Sequence, residues 1–513
     1  MILHERSDCT KNSCWQCSTT VRHRRSRSYS RGTDMKPSIL DLLHRHAEKS
    51  PGTVAMSVGT PTGWESVTWA QLCDAASAVA RRARGLPAGA GPVVLVVDNS
   101  IACVTVLLGL AIASREVLLV ESANSYLADE QSAVLRAAPS CVVGPEGLAT
   151  SVSTRLTYLS FGELTAGPSR APAPGEGGSM IHQLTSGSTG EPRIVRHSVD
   201  NMVRGGHIYR EVHGLTDADS VFVTVPLAHS FGLIGGLAAA LVSGARLLTL
   251  NRFNLRVLVA GLHDGATVML STPLGYELIA AASSPARQEN SLRLALSSGG
   301  PLSERVAATA SHRLGVRIHQ VYGSTETGLV ACAYDRAEPW PDGSVGRFAP
   351  GVEWRMADDD ATTQDGAGRL LVRTSTMFDG YLDSAAPDAC SGFYDTGDLV
   401  RVDERGHVFV VARKNTFVNV GGRKVNPRRI ERLIAEHREV AEIAVYGAGS
   451  EGDEQEIHAA VVLTGSTGVA ELLRFCRSRL MPYEVPHRVH VVSELPRTAL
   501  GKVSVPRLIQ ERA

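Results

Sequence analysis

Among the 513 residues, the segment best suited to chemistry is Leu184 to Arg193, LTSGSTGEPR, in which Gly187 and Gly190 flank the hydroxyls of Ser188 and Thr189 after an apolar lead-in. Together with Thr185 and Ser186, such a loop can wrap phosphate oxygens with backbone N–H groups and hydroxyl donors. It lacks the G-x-x-x-x-G-K-[ST] spacing of a mononucleotide P-loop. Alone, such a loop is more often a turn or linker than a phosphate site. Four more segments follow in order: PLAHSFG with His229, Ser230 and Phe231, YGSTETG with Glu326, YDTGD with Asp398, and PRTALGK with Lys502. Taken singly, each has an ordinary reading. A His before an apolar helix packs, T-G-D turns, a Glu favours a helix first turn, and a terminal Lys is solvated.

Elements of regular type must hold these segments. The apolar, β-branched runs PVVLVVDN, EVLLVES, SCVVGPE, SVFVTVPL, ARLLTL and ATVMLSTP are short and separated by helix-length stretches. That is the pattern of buried parallel strands in an α/β fold. LDLLHRHAE and VTWAQLCDAASAVARRAR have helical periodicity. After Asp342 the texture changes to short strands and turns, and from about Arg413 a helix–strand–strand–helix pattern starts again. The expected fold is therefore α/β, a large N-terminal domain of mixed and parallel sheets with helices, followed by a small α+β unit.

Composition narrows the function classes. The 52 Lys+Arg balance 52 Asp+Glu, so no bulk charge points to nucleic acid. The longest apolar runs, Ile101 to Ser114 and Phe231 to Ala245, are too short to span a bilayer and read as buried elements, with no integral membrane segment expected. Nine scattered cysteines suit a reducing, cytoplasmic compartment better than a disulfide framework. Cys9, Cys14 and Cys17 lack a fourth ligand at recognisable spacing for zinc. The first 34 residues, with seven Lys/Arg against three Asp/Glu, read as a disordered basic head or as an extension upstream of a start at Met35.

The five motifs, in this order and spacing from about residue 39 to 510, resemble the adenylate-forming superfamily of acyl- and aryl-CoA synthetases, peptide-synthetase adenylation domains and luciferase. The resemblance implies ATP and Mg²⁺ as cofactors, an N-terminal domain over 35–412, a hinge at 413–416 and a mobile C-terminal lid over 417–513. It implies that Thr185, Ser186, Gly187, Ser188, Thr189 and Gly190 bind the β- and γ-phosphates, and that Glu326, with the Thr189 hydroxyl, serves the metal. The backbone of Ser298, Gly299, Gly300 and Pro301 and of Tyr322 and Gly323, continuing into Ser324 and Thr325, would frame the nucleotide. Asp398 would accept both ribose hydroxyls and Arg413 would support the ribose. Lys502 would reach the α-phosphate and the substrate oxyanion, while His229, Ser230 and Phe231 would line the acid pocket, His229 near the thiol channel. Each role is chemically apt: a carboxylate suits Mg²⁺, another carboxylate takes two hydroxyl donors, and an ammonium offsets charge gathering between two anions.

The sequence also departs from the family pattern. Arg193 stands where many relatives have Lys, and Asn415 and Asn419 replace an acid or Lys and a Lys around the hinge. These changes bear on the second half-reaction more than on adenylation. Ser230 stands where amino-acid-activating relatives carry an Asp, which disfavours an ordinary α-amino acid. The expected activity is ATP-dependent activation of a fatty, aryl or related carboxylic acid, with transfer to coenzyme A or to a carrier-protein phosphopantetheine arm. Activation of another oxyanion such as nitrite, and a non-catalytic nucleotide-binding role, are the alternatives.

Overall fold

The computed structural model describes residues 37–87, 91–121, 127, 131–148, 152, 155–166, 178–185, 193–251, 254–281, 290–334, 340–357, 366–382, 392–413, 418–420, 423–448, 455–480, 482–498 and 503–510. The basic head, the loop residues 186–192, the expected hinge residues 414–416 and Lys502 lie outside them.

Two large sheets dominate. In the six-stranded sheet the order is Tyr158–Ser160, Cys141–Gly144, Val93–Val97, Val117–Glu121, Met180–Leu184 and Ile194–Ser198, parallel until the final antiparallel pair. The nine-stranded sheet has a parallel centre of Val54–Thr60, Arg246–Leu250, Ser220–Val223, Val268–Ser271, Leu294–Ser297 and Ile318–Ser324. Antiparallel strands close both of its edges, Gly63–Thr68 at one and Gly328–Cys332 with Arg347–Phe348 at the other. The β-branched runs are these parallel strands. Each is covered on both faces, so neither face needs polar residues.

The helix Ile101–Ile112 is apolar nearly all round, and its residues share one core with both sheets. It packs so closely on the helix Trp69–Ala83 that a Cβ at Gly109 would lie 2.5 Å from the Val79 side chain. Thr68 caps that second helix through a reciprocal capping box with Gln71.

A four-stranded antiparallel sheet, Glu353–Met356, Gly368–Arg373, Tyr394–Val402 and Val408–Arg413, follows. Beyond it, the helices Pro427–Ala435 and Val469–Arg477 pack with Val440–Ala448 and Glu456–Leu463 around a separate core that includes Ile430, Ile434, Ile457, Val461 and Leu472. The α/β class and the small α+β unit are as the sequence pattern implies. No described helix is long and apolar enough to cross a membrane.

One element departs from expectation. The apolar helix after His229 begins as a π-helix, Phe231–Ala238, before continuing as the α-helix Ala239–Ser243. Tight packing accompanies the wider turn. A Cβ at Gly206, on the neighbouring helix Val199–His213, would meet the Ala238 carbonyl at 2.7 Å, and one at Gly232 would meet the Pro226 carbonyl oxygen at 2.6 Å.

Candidate active site

In open parallel sheets, ligands collect beyond the carboxyl ends of the strands. Here those ends converge from both large sheets. Val117–Glu121 and Met180–Leu184 run side by side, with Leu119 opposite Gln183, and so end at Glu121 and at Leu184, the threshold of the Gly/Ser/Thr loop. From the other sheet, the chain leaving Ser220–Val223 forms the turn Pro226 to Ser230. Gln183 joins the two: its Nε2 donates to the Ala228 carbonyl at 2.7 Å and its Oε1 accepts from Ser230 Oγ at 2.8 Å. Asn99 adds a second staple. It is buried in a left-handed conformation, φ 61°, donates to the Val225 carbonyl at 3.1 Å, and accepts from the Leu227 amide at 2.9 Å.

The loop is closed at its base. The Thr185 amide donates to the Arg193 carbonyl at 2.9 Å, and the Arg193 amide donates to Thr185 Oγ1 at 3.1 Å. This continues the antiparallel ladder that pairs Leu184 with Ile194. Of the expected phosphate-binding set, Thr185 is described, while Ser186, Gly187, Ser188, Thr189 and Gly190 lie outside the described residues. Beyond the loop, the Arg193 guanidinium lies over the Tyr381 ring, 5.0 Å from its centroid.

Tyr381 leads to Glu326. Its hydroxyl donates to Glu326 Oε1 at 3.2 Å and lies 3.4 Å from the Tyr394 hydroxyl. The main chain around Glu326 is also fixed, because the Glu326 carbonyl accepts from the Phe378 amide at 2.8 Å and the Thr325 carbonyl accepts from His197 Nε2. Burial holds the His197 pKa below the ordinary histidine range. The neutral ring is therefore favoured, with the proton on the donating nitrogen and, among the described residues, no partner for Nδ1. Ser324 and Thr327 exchange hydrogen bonds on the same turn.

The expected nucleotide frame assembles beside it. Ser298 follows the strand Leu294–Ser297, and its Oγ donates to the Val321 carbonyl at 3.0 Å, which sets the Ser298 to Pro301 segment against Tyr322. Gly299 has φ +95°, a left-handed backbone that favours glycine. A Cβ on Gly323 would lie 2.2 Å from the Gly328 carbonyl oxygen, so only glycine fits between these chains. Tyr322 donates to Asp398 Oδ2 at 2.8 Å, and Asp398 stands opposite Arg413 in the antiparallel ladder.

At the expected acid pocket, His229 Nε2 is hydrogen-bonded to Glu121 Oε1. Phe231, the first residue of the π-helix, is half-buried against the main core. Sequence reasoning missed Glu121, Gln183, Asn99, His197 and Tyr381. Glu121 did leave a signal, a carboxylate ending the otherwise apolar run VLLVE. No comparable cue marks Tyr381.

The AMP-binding enzyme family matches residues 43–382, and the AMP-binding enzyme C-terminal domain matches residues 429–502. The chain is 32% identical over 346 residues to the indoleacetate–CoA ligase of Aromatoleum aromaticum, spanning 65% of this chain and 67% of that protein. It is 28% identical over 487 residues to the 2-succinylbenzoate–CoA ligase of Geobacillus kaustophilus, covering 90% of this chain and 95% of the relative. In fold it resembles ATP-bound MatB from Rhodopseudomonas palustris, with a TM-score of 0.82 at 24% identity over 92% of this chain and 98% of that one.

Proposed function

Because the chain belongs to the AMP-binding enzyme family, we propose that it uses ATP to activate the carboxylate of a fatty, aryl or related acid as an acyl-adenylate and then passes the acyl group to the thiol of coenzyme A. The observation that carries this reading is the set of contacts in which Tyr322 meets Asp398, and Tyr381 meets Glu326 and lies under Arg193 at the closed base of the Thr185 to Arg193 loop.

The donor set fits Mg²⁺. Tyr381 engages Oε1 of Glu326 and, among the described residues, Oε2 is open, while no group of three or more His, Cys, Asp or Glu forms a metal cage. Magnesium is characteristically held by one or two carboxylates together with phosphates and water. Bound there, it would offset the charge that builds when two anions approach.

The chain's own residues supply the remainder. Asp398, oriented by Tyr322, accepts the ribose hydroxyls, and Ser298 to Pro301 with Tyr322 and Gly323 frames the base. On this reading the loop from Thr185 to Gly190 would receive the β- and γ-phosphates, Glu326 and the Thr189 hydroxyl would hold the metal, and Arg413 would support the ribose. Lys502 brings an ammonium to the α-phosphate as the substrate carboxylate oxygen attacks phosphorus and pyrophosphate departs. His229, Ser230 and Phe231 border the acid. Among the described residues beside His229, no free carboxylate awaits an α-ammonium, because its neighbour is Ser230 and Glu121 is engaged with the imidazole. The relatives named above act on indoleacetate and 2-succinylbenzoate, which supports an aryl acid as the first candidate.

The test is ATP–pyrophosphate exchange across a panel of fatty, aryl, β-amino and α-amino acids with nitrite included, followed by mass detection of the product formed with coenzyme A. Exchange with an aryl or fatty acid and a coenzyme A thioester is the expected result. Exchange without a thioester points to a carrier-protein arm as acceptor, and exchange with nitrite alone overturns the carboxylate reading. Lys502→Ala is expected to lower exchange by about 10²–10³-fold.

A further inference from the structure

Along the chain from His229, contact with solvent stops at one residue. His229, Ser230 and Phe231 are partly exposed, whereas every residue from Gly232 to Ser243 is buried. Glycines bring the π-helix Phe231–Ala238 into direct contact with what lies beneath it. A Cβ at Gly236 would lie 2.5 Å from the Val223 side chain, and one at Gly235 would lie 2.9 Å from the Tyr209 ring and 3.1 Å from Leu270. On the helix Val199–His213, a Cβ at Gly205 would lie 2.4 Å from the Ile234 side chain. Packing this close leaves no gap between the π-helix and the strands Ser220–Val223 and Val268–Ser271. Val223 and Leu270 are 0% and 1% exposed, so not even a water-sized space adjoins them, and Tyr209 is buried in the same core.

An alkyl tail gains affinity by burying methylenes, about fourfold for each one removed from water. A tail running from Phe231 along the π-helix would have to displace Val223, Leu270 or Tyr209, and overfilling a packed core is unfavourable. Left in water, the same tail gains nothing. A ring places a large apolar area within a short reach of the carboxylate, which suits a shallow pocket.

Resting on the acid–thiol ligase reading, in which Phe231 borders the acid, we propose that Tyr209, Val223 and Leu270 are specificity-determining residues that end the acid pocket at Phe231, and that the substrate is a compact, ring-bearing acid without an alkyl tail. The three act together. Each meets Gly235 or Gly236 at contact distance, and between them they close the space under the first turns of the π-helix. Removing side-chain volume from any one of them opens a path that the wild-type protein lacks.

The experiment measures kcat/KM in ATP–pyrophosphate exchange for butanoate, hexanoate, octanoate and dodecanoate and for benzoate, phenylacetate and indoleacetate, with the wild-type protein and with Leu270→Ala. The wild type is expected to exchange best with a ring-bearing acid and to gain nothing from hexanoate to dodecanoate. Leu270→Ala should raise the ratio of octanoate to butanoate at least about tenfold, since two newly buried methylenes are together worth slightly more than that. A purely structural defect would instead lower both acids alike and leave the ratio unmoved. If Leu270→Ala does not fold, the smaller excision Val223→Ala decides the matter through the same ratio. Wild-type activity that climbs about fourfold per methylene up to dodecanoate would overturn the proposal, as would variants that lower every acid in proportion. Wild-type protein that exchanges with no acid defeats the ligase reading itself, a result distinct from exchange that favours a long tail.

Discussion

Tyr381 holds Glu326 through one phenolic hydrogen bond and lies under the Arg193 guanidinium. A single aromatic side chain thus links the expected metal ligand to the exit of the expected phosphate loop. Removing only the hydroxyl isolates the first contact, and a hydrogen bond to a charged acceptor contributes about 1.5–3 kcal/mol. Tyr381→Phe is therefore expected to lower pyrophosphate exchange by at least about tenfold and to raise the Mg²⁺ concentration for half-maximal rate, measured by titrating Mg²⁺ at saturating ATP. Tyr322→Phe should instead raise the KM for ATP, since its hydroxyl orients Asp398. The residues legible in the sequence, Glu326, Tyr322 and Asp398, lie in short local motifs. Those that were not legible act on partners far along the chain: Glu121 is 108 residues from His229, Asn99 is 128 from Leu227, and Tyr381 is 55 from Glu326. Side-chain type reports chemistry, but only the fold sets such distances.

The strand ends and helix contacts around the crevice make different demands on sequence. Runs such as VVLVV announce themselves because a strand buried on both faces is apolar at most positions. The π-helix Phe231–Ala238 is not announced, because FGLIGGLA is apolar on every side and has no period to reveal its winding. Its register depends on contacts with the helix Val199–His213. Gly206→Ala should force the Ala238 carbonyl aside, at a cost of about 1–3 kcal/mol in chemical denaturation, and should raise the KM for the acid by disturbing the turn at His229.

Buried histidines within these elements give a pH prediction. His182, in the strand Met180–Leu184, is fully buried, and burial outweighs the Glu116 carboxylate and holds its pKa below the ordinary value. Among the described residues its Nδ1 has no partner. His46 and His197 shift in the same direction for the same reason. The unfolded chain takes up protons near pH 6.5, roughly, before the folded protein does, so stability falls as pH drops from there through the folded-state values. The Tm is expected to fall between pH 7 and 5, and His182→Gln should flatten that slope. Equal slopes would mean that His182 carries no part of it.

Across the whole molecule, the small C-terminal unit closes its own core and meets the large domain through polar contacts. Arg497, in the PRTALGK segment, binds Glu442 of its own unit at 2.7 Å and reaches Glu277 of the large domain at 3.7 Å. Asn426 Nδ2 donates to the Val411 carbonyl at 3.4 Å. Partly exposed ion pairs contribute about 0–1 kcal/mol. Glu277→Gln is accordingly expected to change unfolding free energy by less than about 1 kcal/mol while enlarging the radius of gyration in small-angle X-ray scattering. Identical scattering would show that the contact does not set the orientation. The change of texture after Asp342 and the restart near Arg413 made the two-part plan legible, whereas the Glu277 contact was not, since a surface Glu and Arg carry no mark of each other.

The nine-stranded sheet is discontinuous along the chain: the hairpin Val54–Thr60 and Gly63–Thr68 precedes the whole six-stranded sheet, and its parallel partner Arg246–Leu250 follows about 180 residues later. At a synthesis rate of about 5–20 residues per second, a nascent chain carries that hairpin unpaired for roughly 10–40 seconds. During that interval the six-stranded sheet can complete itself, while Ala55, Met56 and Val58, buried in the finished protein, lack the parallel strand that covers their open edge. Ribosome-bound chains halted near residue 200 should therefore be the species that chaperones hold longest, and the hairpin is the segment that makes them need it.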